Sequence, residues 1–256
     1  MIRFVEYIGA GATAVLEEMG RMLNLLFASI YWMFRRPFRL RLLFKQMEFV
    51  GVHSTLVVVL TGAFTGAVLA LQSYYGFRKF GAESLVGATV ALSLTRELGP
   101  VLTGLMVTGR VGSAMAAELG TMRVTEQIDA MYTMAVEPIK HLILPRILAS
   151  ILMVPVLTVV SDFVGIAGGY FVGVKLLGIN SGIFMNKMYE IVEMSDIMNG
   201  LYKSVVFGLI LSLVGCYKGF YTSGGAAGVG RATTSAVVLS SVLILIFDYI
   251  LTSFLF

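Results

Sequence analysis

Residues 49–73 read FVGVHSTLVVVLTGAFTGAVLALQS, and no charged side chain occurs between Glu48 and Arg78. A transmembrane helix needs about 20 mostly apolar residues to cross the hydrocarbon core of a bilayer. Further stretches of this kind lie at about 84–109, 147–174, 198–217 and 233–256. Their apolar residues form continuous runs instead of alternating with polar ones, which argues against a transmembrane β-barrel. The sequence therefore predicts an all-α integral membrane protein with five transmembrane helices.

The composition of the whole chain agrees with a membrane protein and excludes several other classes. Of its 256 residues, 57% are hydrophobic and 13% are charged, whereas a typical soluble domain has roughly 25% charged residues. The single cysteine, Cys216, excludes a disulfide framework, and His53 and His141 are too far apart to form a metal-binding pair on one helix. Nothing therefore predicts a metal site. Because the Lys and Arg residues flank the apolar spans instead of forming one basic face, nothing predicts binding to nucleic acid either.

The first 48 residues differ from the five-span domain that we assign to 49–256. Apolar side chains recur at steps of three or four, and most acidic side chains lie off this stripe; the stripe comprises Phe4, Ile8, Ala12, Val15, Met19, Met22, Leu26 and Ile30. This pattern predicts an amphipathic helix that lies in the membrane interface. The stretch RRPFRLRLLFK (35–45) follows it and is expected to contact anionic headgroups.

The distribution of Lys and Arg predicts the orientation of the chain. Thirteen of them fall in the N-terminal segment and in the loops after the second and fourth spans, and five fall in the segments on the other side. Cytoplasmic segments carry the excess of positive charge. We therefore expect the N-terminus in the cytoplasm and, after five spans, the C-terminus in the periplasm.

The loop after the second span, TMRVTEQIDAMYTMAVEP (121–138), has helical periodicity. Val124, Ile128 and Met131 fall on one face, whereas Glu126 and Gln127 fall largely elsewhere. We predict an amphipathic cytoplasmic helix at about 121–135, which the proline at 138 ends. The membrane subunits of ABC transporters contact their ATPase through such a helix, although a helix that only lies on the membrane is the alternative. The candidate coupling residues are Val124, Glu126, Gln127, Ile128 and Met131.

Five charged residues interrupt the apolar spans: Arg96, Glu97, Asp162, Lys203 and Asp248. Each costs about 2.5–3.5 kcal/mol near the centre of a bilayer, so such residues face a helix bundle or a wet cavity. Arg96 and Glu97 are neighbours about 100° apart on a helix and cannot pair face to face. Each must find a partner on another span. The group is either a buried polar clamp or the polar part of an apolar pocket suited to an amphipathic cargo.

Other motifs add no catalytic chemistry. The glycine-rich stretch TSGGAAGVGRATT (222–234) lacks the Lys-Ser/Thr ending of a phosphate-binding loop, and no strand precedes it. Paired glycines at 62 and 66 and at 165 and 169 are expected to allow close helix packing within the chain. No serine–histidine–acid arrangement occurs, so we predict no catalytic residue and no enzymatic activity.

The stretch ALSLTRELGPVLTGLMVTGRVGSAMAAELGTMRVTEQIDAMYTMAVEP (91–138) closely resembles the MlaE permease family, the membrane subunits of MCE-associated ABC transporters. The stretches KSVVFG (203–208) and GRATTSAVV (230–238) share this resemblance. It implies a homodimer whose coupling helix docks on a separate ATPase. That ATPase uses ATP and Mg, and this chain binds no cofactor. It also implies a periplasmic MCE-domain protein as a partner, often with a STAS-domain protein beside the ATPase.

The resemblance further implies a function in the bacterial inner membrane. Phospholipid would move between that membrane and the MCE carrier, which would maintain the lipid asymmetry of the outer membrane. By motif position the lipid pocket would contain Phe80, Arg96, Glu97, Lys203 and Asp248. One alternative is a proton-coupled secondary carrier of lipids or hydrophobic solutes, with one of the buried carboxylates as the proton-coupling group. Another is a membrane scaffold whose charges only hold helices together.

Overall fold

The computed structural model describes residues 2–35 and 39–255, and their side chains except those of 2–12, 14 and 15. Every regular element in this part of the chain is a helix, so the all-α prediction is confirmed. In chain order the helices are α1 (Ile2–Met33), α2 (Leu40–Arg78), α3 (Glu83–Val124), α4 (Gln127–Thr133), α5 (Ile139–Leu176), α6 (Ser181–Ile191), α7 (Met194–Phe220) and α8 (Gly225–Leu255).

Five of these helices are long and apolar enough to cross a membrane, which confirms the predicted number: α2, α3, α5, α7 and α8. They extend beyond the apolar stretches that predicted them, and α3 continues to Val124 instead of ending near 109. Arg110 does not end α3 because its guanidinium donates to Ser54 Oγ on α2 at 2.9 Å. A prediction from hydropathy ends the span before Arg110, because hydropathy does not show that this charge has a hydrogen-bond partner on α2.

Helix α7 lies at the centre of the bundle, in contact with α3, α5 and α8. Two of its glycines explain how closely it approaches its neighbours. A Cβ atom on Gly200 would lie 2.0 Å from the carbonyl oxygen of Thr95 on α3, and one on Gly208 would lie 2.6 Å from the carbonyl oxygen of Ser150 on α5. Any larger residue at these positions would push α7 away from the two helices.

Helices α2 and α5 meet along the paired glycines that the sequence singles out. A Cβ atom on Gly66 would lie 1.8 Å from the carbonyl oxygen of Gly165, and one on Gly62 would lie 2.7 Å from that of Ser161. The prediction that these glycines allow packing within the chain is confirmed. Since the seam is filled by α5, it does not offer a surface to a second subunit.

Helix α1 packs one face on the bundle and leaves the other exposed. Met22 and Leu25 are buried, whereas Met19 and Phe27 are exposed. The first part of the predicted stripe, Phe4 to Val15, falls on side chains outside the described ones. An ion pair between Glu18 and Lys218 joins α1 to the end of α7. With apolar side chains on both faces, α1 suits a position between the bundle and lipid, and its interfacial placement stays a prediction.

The helix after the second span is shorter than predicted. Residues 121–124 belong to the end of α3, and α4 spans only Gln127–Thr133. Glu126 interrupts the helix because its φ is 59°, in the left-handed region. Ala135, with φ of 56°, lies beyond its other end, before Pro138 is reached. These two residues in the left-handed region confine α4 to two turns. The periodicity of apolar residues in the sequence does not reveal them.

Candidate functional site

The most concentrated chemistry in the described part of the chain is a charged cluster between α3, α7 and α8. Its centre is Lys203, whose side chain is completely buried. The Lys203 Nζ lies 2.5 Å from Glu97 Oε2 and 3.2 Å from Asp248 Oδ1. It also donates to Thr252 Oγ1 at 2.7 Å and to the carbonyl oxygen of Arg96 at 3.2 Å. One cation from α7 therefore joins carboxylates from α3 and α8.

A second ion pair lies beside this cation. Arg96 Nε and Nη2 lie 2.7 and 2.6 Å from Asp196 Oδ1. Asp196 is buried in the first turn of α7, and its Oδ2 accepts the backbone N–H of Glu193 at 3.0 Å. The same carboxylate thus caps the start of α7, where the helix dipole favours negative charge, and holds Arg96 in place. The Asp196 carboxylate therefore connects Arg96 to the first turn of α7.

The prediction that Arg96 and Glu97 turn to different partners on other helices is confirmed. Lys203 and Asp248 join the cluster, but Asp162 does not. Asp162 lies on α5 and packs against Gly99 of α3. A Cβ atom added to Gly99 would lie 1.7 Å from Asp162 Oδ1. Among the described residues this Oδ1 has no hydrogen-bond partner. The partner of Arg96 is instead Asp196, which sequence reasoning placed in a loop because hydropathy starts the fourth span at 198.

A local signal could have found Asp196. Glu193 and Asp196 form a capping box, in which each side chain accepts the backbone N–H of the other residue. Acidic residues are enriched in the first turn of a helix, so Glu193 and Asp196 ahead of an apolar run indicate a helix start. Reading this signal would have started the fourth span at 194 and placed the Asp196 carboxylate inside the bundle.

The backbone of α3 is irregular where it carries the cluster. Residues Leu94–Leu98 form a π-helical turn, which widens the helix around Arg96 and Glu97. Such turns occur inside α-helices frequently at functional sites. Gly200 packs directly on this turn, so that Lys203, one turn further along α7, reaches both Glu97 and the Arg96 carbonyl. The geometry of the site therefore depends on the absence of a side chain at Gly200 as well as on the charged residues.

The cluster is deep but partly accessible. At 1.5 Å per residue, Lys203 lies about 14 Å from the start of α7, and Asp248 about 10 Å from the end of α8. Two cations face three carboxylates here. The side chains of Arg96 and Glu97 are 37% and 35% exposed, while that of Lys203 is 0% exposed. A polar group entering from outside would meet Arg96 and Glu97 first.

The fifth residue of the implied lipid pocket, Phe80, lies elsewhere. It is in the turn between α2 and α3 and is 84% exposed. It therefore packs on nothing in the cluster. A role at the mouth of a pocket stays a prediction.

An apolar groove runs along α7 and α8 next to the charged cluster. It encloses about 410 Å³ between α1, α7 and α8. Val206, one turn from Lys203, and Phe247, the neighbour of Asp248, line it; the other lining residues are Glu18, Met19, Met22, Leu23, Leu209, Ile210, Leu213, Val214, Leu239 and Leu243. Apolar walls beside a few charged groups suit a ligand with a hydrocarbon chain and a polar head.

Helix α4 is anchored to the bundle through the residue predicted to face a partner. Ile128 is completely buried and belongs to the main core, so it attaches α4 to the bundle, and its part in coupling stays a prediction. Asp129 Oδ1 lies 2.5 Å from Arg123 Nη1 at the end of α3. Of the other predicted coupling residues, Glu126 and Gln127 are exposed, Val124 is at the edge of exposure and Met131 is half-buried. The exposed surface also includes Tyr132 and Met134.

Comparison with known proteins supports a transport role. The model of the family described as Permease MlaE matches residues 43–254. The chain is 49% identical to a probable ABC transporter permease protein of Rickettsia conorii, over 97% of this chain and 96% of that protein. It is 38% identical to the intermembrane phospholipid transport system permease protein MlaE of Haemophilus influenzae, over 100% of this chain and 98% of that protein.

A plant protein extends the similarity beyond bacteria. The chain is 39% identical to the chloroplastic protein TRIGALACTOSYLDIACYLGLYCEROL 1 of Arabidopsis thaliana, over 98% of this chain and 69% of that protein. The family model covers the five spanning helices together with the charged cluster and α4. The chain therefore belongs to the MlaE permease family.

Proposed function

We propose that this chain is the permease subunit of an ABC transporter that moves phospholipid between the bacterial inner membrane and a periplasmic MCE-domain carrier, and so maintains the lipid asymmetry of the outer membrane. A separate ATPase subunit hydrolyses ATP with Mg and drives transport, and a STAS-domain protein accompanies it. The observation that carries the proposal is the apolar groove that ends beside the charged cluster. Similarity to a phospholipid transport permease supports the choice of cargo.

The site would offer charged residues to the headgroup of the lipid and apolar walls to its acyl chains. A phosphate-bearing headgroup would meet Arg96, which is partly exposed although paired with Asp196. The acyl chains would lie along the apolar walls that begin at Val206 and Phe247. Lys203 stays buried and positions Glu97 and Asp248, so it would act on the lipid through these carboxylates. Charge in the cluster limits how deep a headgroup can go without exchanging one ion pair for another.

The force would enter through α4. The exposed residues Glu126, Gln127 and Tyr132 offer a surface to the ATPase, while the buried Ile128 and the Arg123–Asp129 ion pair join α4 to α3. Movement of α4 would thus move α3 and, with it, the π-helical turn that carries Arg96 and Glu97. This arrangement explains how nucleotide chemistry in another subunit could alter a site about 40 Å away along α3 (27 residues at 1.5 Å each).

The permease would work as a homodimer with its N-terminus in the cytoplasm. In the most apolar stretch of 18 residues in α8, 11% of the residues are buried within the chain. In the corresponding stretches of α3 and α7, 50% of the residues are buried. The exposed face of α8 therefore has room for a second α8. The orientation rests on the excess of Lys and Arg near α4 and the N-terminal segment.

Reconstitution tests the proposal. Vesicles that contain this chain, the ATPase and the MCE-domain protein should transfer labelled phospholipid only when ATP and Mg are present. Arg96→Ala and Glu97→Ala should each lower transfer per ATP hydrolysed, because the headgroup loses its partner or the cluster its balance. Lys175→Ala, a charge removal outside the cluster, is the control. Lipid movement driven by a pH gradient without any ATPase would refute the proposal and favour a proton-coupled carrier.

A further inference from the structure

A second charged site lies at the other end of the bundle, where α1 ends and α2 and α5 begin. Two adjoining cavities of about 70 and 230 Å³ share Trp32, Arg39 and Lys140 as lining residues. Arg35 lines the smaller one. Arg35 and Arg39, which are four residues apart, and Lys140, which is far from them in sequence, therefore surround one recess.

Aromatic rings hold two of the cations. Lys140 Nζ lies 5.4 Å from the centre of the Trp32 ring. Arg35 Cζ lies 4.5 Å from the centre of the Tyr31 ring and 5.7 Å from that of Trp32. Cations within about 6 Å of a ring face are attracted by its quadrupole. The rings thus gather positive charge at the recess without neutralising it.

Within the described ranges, no carboxylate forms an ion pair with Arg35, Arg39 or Lys140. Glu137 also lines the larger cavity, but among the described residues it forms no ion pair with Lys140. Three other cations at the same end of the bundle, Arg123, Arg146 and Lys218, are each paired with a carboxylate, whereas Arg41, Lys45 and Arg231 form no ion pair within the described residues. The recess is therefore a place where three cations without a carboxylate partner line the two adjoining cavities, which fits an anionic ligand.

The floor of the recess is apolar. Leucines and a proline line the smaller cavity below the cations: Leu40, Leu43, Leu144, Pro145 and Leu148. A free phosphate ion would gain nothing from this floor. A phospholipid would place its phosphate among the cations and the glycerol ends of its acyl chains on the leucines, since the recess lies at the ends of spanning helices.

We propose that this recess binds the headgroup of an anionic phospholipid that is a structural ligand and not the cargo. The bound lipid would join the end of α1 to the start of α5, directly after the segment that follows α4. It would thereby hold the interfacial helix against the part of the chain that receives force from the ATPase. The proposal concerns binding to this chain alone and does not depend on the transported cargo or on its direction.

The single tryptophan makes the test direct, because Trp32 is the chain's only one and lines both cavities. The full chain is placed in nanodiscs of phosphatidylcholine that contain, at equal mole fraction, either brominated phosphatidylglycerol or brominated phosphatidylcholine. Bromine quenches Trp32 fluorescence only on contact. We expect clearly stronger quenching by the anionic lipid, and a preference that falls about fivefold in each of Arg39→Gln and Lys140→Gln.

A matched substitution separates a built site from general surface charge. Arg41 belongs to the same basic segment and is exposed, but it lines neither cavity. Arg41→Gln should therefore leave the preference for the anionic lipid unchanged. An equal loss in Arg41→Gln, or equal quenching by the two brominated lipids in the unaltered chain, would overturn the proposal. Displacement of the anionic lipid by inorganic phosphate would instead assign the recess to a soluble anion and overturn it too.

Discussion

At the scale of single residues, the protein depends on one buried ammonium group. Lys203 is the only cation that contacts both Glu97 and Asp248 in the described structure. Two carboxylates held this near each other repel unless a positive charge lies between them. Breaking a buried ion pair by removing one partner typically costs about 3–5 kcal/mol, because the remaining charge is left uncompensated.

We therefore expect Lys203→Met to lower the free energy of unfolding by about 3–5 kcal/mol, as measured by chemical denaturation in mixed micelles. Removing the carboxylates together with the lysine, in Lys203→Met with Glu97→Gln and Asp248→Asn, should recover most of this loss. Unchanged stability of the single variant would show that water, and not Lys203, compensates the carboxylates.

Sequence reasoning at this scale identified the charged residues but not all of their contacts. That Arg96 and Glu97 face apart follows from helix geometry alone, and the structure agrees. The burial of Ile128 does not follow, because an amphipathic stripe shows that a face is apolar without showing whether it contacts the same chain or a partner. Only packing against the core distinguishes these two cases.

At the scale of elements, α4 is two turns of helix whose buried and exposed faces have separate tasks. Ile128 and the Asp129 ion pair attach it to the bundle, and Glu126, Gln127 and Tyr132 remain exposed. Helix periodicity predicted that an element exists here, but not its length, because the left-handed residue at its start is a glutamate and gives no turn signal.

Glu126→Lys combined with Tyr132→Asp should weaken binding of the ATPase at least about tenfold, since an aromatic anchor at an interface is lost. Co-purification with the tagged ATPase measures this. The matched control is Glu190→Lys with Tyr189→Asp on α6, which lies at the opposite end of the spans and exposes the same residue types. Full retention of the ATPase by the first variant would exclude α4 as the docking element.

At the scale of the whole molecule, the fold was largely predictable because long apolar runs can only be spanning helices. The order of packing was not, since it depends on where glycines let backbones meet, as Gly66 and Gly200 do. The sequence also does not show which helix remains uncovered. In the structure α8 is the least buried of the five spanning helices, and its exposed stripe comprises Val238, Val242, Leu245 and Tyr249.

If α8 forms the subunit interface, cysteines on this stripe should cross-link two copies in native membranes. Cys216 is buried and is replaced by serine first, so that Val242→Cys or Tyr249→Cys carries the only thiol. Oxidation should convert most of each variant to a dimer on a non-reducing gel. Phe163→Cys, on the exposed face of α5, should stay monomeric. Equal cross-linking of all three would point to random collision in the membrane.

The π-helical turn at Leu94–Leu98 has a consequence for how the coding sequence can vary. Such a turn holds one residue more than a regular helix, so losing a single codon there would leave an unbroken α-helix. Because the extra residue is accommodated within this one turn, the faces of the two halves of α3 would stay aligned, and only the wide turn itself would be lost. A single-codon deletion at this place would therefore spare the packing of both halves of α3 but change the positions of Arg96 and Glu97, which the wide turn carries.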